Sequence, residues 1–71
     1  MTSKELCNYV MKEISPINYE KLRYIYCTKG AERLKDTARS IVKAFAPCEA
    51  SKQLIGRAAA LVYLEFTNII S

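Results

Sequence analysis

A small, compact all-α bundle of four helices is the fold this sequence predicts, on three observations. Apolar side chains recur at helical spacing along most of the chain. Only 2 Gly and 2 Pro occur among 71 residues, too few turn residues for a small barrel of short strands. The composition, 51% hydrophobic and 25% charged, is far too apolar for a disordered chain. A chain this short buries only about 60% of the surface that its unfolded form exposes, so residues 1–71 make a single domain. The punctuators Ser15 with Pro16, Lys29 with Gly30, and Ala46 with Pro47 divide it into four segments. Helices are expected at roughly 3–14, 17–28, 31–46 and 50–70.

The first segment opens Thr2-Ser3-Lys4-Glu5. Thr2 can cap the orphan amides of the first turn and Glu5 can reach back to it, completing a capping box. Leu6, Val10 and Ile14 then recur at i, i+4 and i+8 as one buried stripe, with Tyr9 and Met11 on its flanks. The second segment starts either at Ser15, with Pro16 at the first helical position, or at Asn18, an equally good cap. Its stripe is Tyr19, Leu22, Ile25 and Tyr26, with Tyr24 off the stripe and exposed. Gly30 is expected to end it in a sharp turn, because glycine enters left-handed backbone conformations without a Cβ penalty.

The third segment has the clearest period: Ala31, Leu34, Ala38, Ile41, Val42 and Phe45. It ends before Pro47, which disfavours helical geometry at Ala46. A fourth and longest helix follows, capped by Cys48 or Ser51. From Leu54 to Ile70 it is apolar almost all round, and a helix without a polar face needs neighbours on several sides.

That helix makes the leading functional expectation a protein interface. A core this small rarely suffices alone, and Gly56 and Ala60, four apart with Ala59 beside them, let another helix approach closely. The expected interface comprises Leu54, Gly56, Ala60, Leu61, Tyr63, Leu64, Phe66, Ile69 and Ile70. The protein reads as a non-catalytic interaction module, an adaptor, inhibitor or assembly subunit, with a homo-oligomer as the expected partnership. Accessory or regulatory roles fit such a chain, those of phage and viral proteins included.

The alternative is nucleic acid. Eleven Lys and Arg against seven Asp and Glu give a net charge of +4, and Lys35, Arg39 and Lys43 align at i, i+4 and i+8 as a basic ridge. Glu32 and Asp36, one residue round, offer it local pairing partners. A helix-turn-helix across the Pro47 corner fails, because a recognition helix must present polar side chains to base edges and Ala58 to Leu64 is apolar.

Catalysis is excluded by inventory: there is no His, no glycine-rich phosphate loop and no paired carboxylates on an apolar face. No cofactor, metal or small-molecule substrate is expected. Cys7, Cys27 and Cys48 match no zinc spacing and leave one thiol over from any pairing. They read as buried small apolar side chains in a reducing compartment, with a Cys7–Cys27 bridge as the sharper alternative. The first fourteen residues carry Lys4, Glu5, Lys12 and Glu13, unlike a signal peptide, so a cytoplasmic location is expected. The longest apolar run, Ala58 to Leu64, is far short of the ~20 residues that span a bilayer, which makes a membrane partner unlikely.

Overall fold

The computed structural model describes residues 1–14 and 19–70. Among them every regular element is an α-helix: α1 (Ser3–Ile14), α2 (Tyr19–Phe45) and α3 (Lys52–Ile70). The all-α expectation holds and the four-helix bundle does not. The second and third expected helices are one element, because the helical path resumes directly after Gly30 with no linker between the halves. Gly30 makes a kink instead of a stop, at φ 86° and ψ 177°. Its φ is positive, as a helix-ending glycine requires, but its ψ is extended, a combination essentially confined to glycine.

The ends of the helices follow from local chemistry. At the start of α1 the Thr2 amide donates to Glu5 Oε1 at 2.9 Å and the Glu5 amide donates to Thr2 Oγ1 at 3.1 Å, the reciprocal capping box. α2 stops at Phe45, two residues before Pro47. A turn closed by the Ala50 amide on the Pro47 carbonyl, 3.0 Å, leads into α3, where Ser51 Oγ accepts from the Leu54 amide at 3.1 Å. Ser51, not Cys48, is therefore the cap. The expected start at Ser15, Pro16 or Asn18 lies outside the described residues, as do the side chains of Tyr19, Leu22, Ile69 and Ile70.

α3 is the central helix and packs against both others, most extensively against α2. The core takes Leu6, Val10 and Ile14 from α1, Leu34, Ala38 and Val42 from α2, and Ala58, Ala59, Val62 and Phe66 from α3. α1 thus buries the stripe its spacing predicts, and the second half of α2 buries Leu34, Ala38 and Val42 of its own, with Ala31, Ile41 and Phe45 half-buried. Tyr9, largely exposed, meets Phe45 edge to face with ring centres 6.1 Å apart, joining α1 to the end of α2.

The first half of α2 departs from expectation. Tyr24 is exposed as predicted, but Tyr26, assigned to the buried stripe, is exposed too, and Ile25 is only half-buried. The kink is the reason: it turns residues 19–29 off the axis of residues 31–45, so Tyr26 does not continue the face that Leu34 and Ala38 bury. The cysteine expectation also fails for two of three. Cys7 is buried, whereas Cys27 and Cys48 are exposed, and all are free thiols. Burial pushes the Cys7 thiol up from its ordinary pKa and the Glu65 carboxylate pushes it further, against a smaller opposing effect of Lys4. Cys7 therefore stays protonated and packs as a small apolar side chain.

The capping box has a pH signature. The Thr2 amide first, then the Thr2 hydroxyl, hold the Glu5 carboxyl below the usual glutamate value. A depressed folded pKa means the carboxylate supports the helix start above the unfolded pKa, and that support is lost as pH falls through the lower folded value. In an NMR titration Glu5 should therefore titrate below an unstructured glutamate, and Thr2→Val should return it towards that reference.

Candidate interaction surface

α3 is apolar nearly all round, and two neighbours cover only part of it. The angular order of its side chains decides which part stays open. Ala58, Val62 and Phe66 point into the core, and Leu54, Ile55, Leu61 and Tyr63 lie half-buried at its margins. Gly56, Ala60 and Leu64 are exposed, and their i, i+4, i+8 spacing makes them one stripe about 12 Å long. Leu64 keeps 55% of its surface in water.

On its α2 side this stripe forms the floor of an open groove of about 570 Å³, to which Ala59 and Tyr63 also contribute. The opposite wall is α2, which presents Glu32, Lys35, Asp36 and Arg39. Lys35 Nζ stands 5.5 Å from the centre of the Tyr63 ring, a cation–π contact that ties wall to floor. The expected local pairing of the ridge with Glu32 and Asp36 is not realised. Among the described residues, none of these four charged groups forms an ion pair within the chain.

The predicted interface residues separate accordingly. Gly56, Ala60 and Leu64 are open, Leu54, Leu61 and Tyr63 are half-open, and Phe66 is 0% exposed within its own core. Phe66 thus leaves the interface: it sits four residues from Val62 on the face that α1 and α2 cover. Of the basic ridge, Lys35 and Arg39 line the groove, while exposed Lys43 lies one turn further on and does not. Glu32 and Asp36, read from the sequence only as neutralising neighbours, are part of the groove itself. The signal for them was present in the i, i+3 relations of Glu32 to Lys35 and of Asp36 to Arg39. It becomes legible only once α3 is known to lie alongside.

Among the described residues no cluster of His, Cys, Asp or Glu could hold a metal ion, and no helix is long and apolar enough to cross a membrane. Compared with protein-family models, curated proteins and solved structures, the chain matches none.

Proposed function

We propose that this protein is a non-catalytic helical interaction module that self-associates through the groove between α2 and α3. The observation that carries the reading is the uncovered Gly56–Ala60–Leu64 stripe, small and apolar, on the helix whose other side forms the core. Small residues at two of its three positions allow a second backbone to approach closely, and Leu64 gains most from being covered. Shielding such a side chain from water contributes on the order of 1–2 kcal/mol.

Nucleic-acid binding through Lys35, Arg39 and Lys43 is the weaker reading, because Glu32 and Asp36 stand on the same wall and repel phosphate. The two differ in their response to salt. Binding to phosphates weakens steeply as salt rises, whereas apolar docking does not.

Light scattering across a wide concentration range tests the proposal, with Gly56→Leu as the diagnostic variant. A Cβ at Gly56 meets nothing within 4 Å and the position is exposed, so a side chain starts there without a clash in the single chain. Replacing a mid-helix glycine should raise its stability by up to about 1 kcal/mol. The same leucine stands up from one end of the stripe and blocks a second copy. The expected result is a dimer for the natural sequence and a monomer of higher melting temperature for Gly56→Leu. A natural chain that stays monomeric at every concentration overturns the proposal.

A further inference from the structure

The charged wall of the groove reads −, +, −, + at Glu32, Lys35, Asp36 and Arg39. Read in the opposite direction it becomes +, −, +, −, its own complement. Reversal about the midpoint between residues 35 and 36 sets position 32 against 39 and position 35 against 36, so every charge meets the opposite sign. Within one chain these charges are left unsatisfied. Glu32 with Asp36 and Lys35 with Arg39 are like charges at i and i+4, which destabilise a helix slightly, while the opposite charges at i and i+3, Glu32 with Lys35 and Asp36 with Arg39, form no ion pair among the described residues. The floor has the same symmetry: Ala60 lies midway between Gly56 and Leu64, so reversal about it sets a vacant position against a large apolar side chain.

We infer that the occupant of the groove is a second copy of this chain, docked antiparallel about a two-fold axis, with Glu32 of each protomer against Arg39 of the other. The inference rests on the interaction reading above and adds to it the partner's orientation and register. A two-fold interface must be self-complementary, and this wall is. Glu32 and Arg39 lie seven residues, two helical turns, apart and therefore on one face about 10 Å from each other. One such contact yields two equivalent ion pairs, one at each end of the groove, while Leu64 of each chain enters the space over Gly56 of the other. A stable interface covers about 800 Å² per partner, roughly a sixth of the 5012 Å² surface. A stripe of three residues falls short of that, so the charged wall has to take part.

Charge exchange between chains tests the register. Glu32→Arg places two like charges at the paired positions of a homodimer, and Arg39→Glu does the same with the opposite sign. Both residues are exposed, and circular dichroism verifies that the helices persist. Sedimentation equilibrium should show each single variant dimerising about tenfold or more weakly than the natural chain. An equimolar mixture of the two should recover a tight heterodimer, and the double variant Glu32→Arg with Arg39→Glu should again self-associate. A mixture no tighter than its components overturns this register. If Gly56→Leu still abolishes the natural dimer in that case, the interaction reading stands without it. A natural chain that remains monomeric overturns both.

Discussion

Phe66→Ala should lower the stability of the protein by about 3–5 kcal/mol. Among the described residues Phe66 is the largest fully buried side chain, at 0% exposure, and it lies on the central helix in the core that α1 and α2 share with it. Truncating a buried phenylalanine to alanine costs about 3–5 kcal/mol, the sum of lost transfer free energy and the cavity left behind. A chain of this length is stable by roughly 4–11 kcal/mol in total, at about 0.05–0.15 kcal/mol per residue. One substitution therefore removes about a quarter of the stability at the least, and all of it at the lower end. Urea denaturation followed by circular dichroism measures the loss. A change below about 1 kcal/mol would mean that Phe66 does not occupy the core. Leu64→Ala, two positions away but largely exposed, is the matched control and should change the stability of the single chain little.

Gly30→Ala should be the most damaging change outside the core. A Cβ at Gly30 meets nothing within 4 Å, so no clash is involved and the whole cost lies in the backbone. An L-residue held at φ 86° and ψ 177° occupies a region open essentially to glycine alone, at a cost of about 1–3 kcal/mol. The alternative open to alanine is ordinary helical geometry, which straightens α2 and swings its first half away from where Ile25 now touches the core. Either way the native arrangement loses. D-alanine at the same position, introduced by chemical synthesis, favours positive φ and should restore most of the melting temperature that L-alanine removes. Equal melting temperatures for the two stereoisomers would refute the backbone argument.

Much of this fold was legible because its signals are local. The capping box at Thr2 and Glu5 needs four residues, the stop before Pro47 needs two, and the buried stripes of α1 and of residues 31–45 need only a helical period. What was misread depended on relations between elements. Gly30 carries the same letter whether a helix ends there or bends there, and the answer depends on what the following turn packs against. Tyr26 falls on an apolar stripe of its own segment, yet the bend removes the surface that would have covered it. Phe66 and Leu64 look alike as apolar residues near the end of an apolar helix. Their fates part because two neighbouring helices cover one side of α3 and leave the other. The same holds for the groove, whose wall and floor lie more than fifteen positions apart in sequence.

The Gly30 bend also sets how evenly the molecule holds together. Among the described side chains ahead of the bend, Lys21, Arg23, Tyr24, Tyr26, Cys27, Thr28 and Lys29 are exposed, and Ile25 is half-buried against the core. A glycine joint at the bend lets the exposed segment ahead of it open without pulling on Leu34, Ala38 and Val42, which the core buries. Backbone amides of residues 21–29 should therefore exchange with solvent faster than those of residues 31–45, and a protease should cut first on the near side of Gly30.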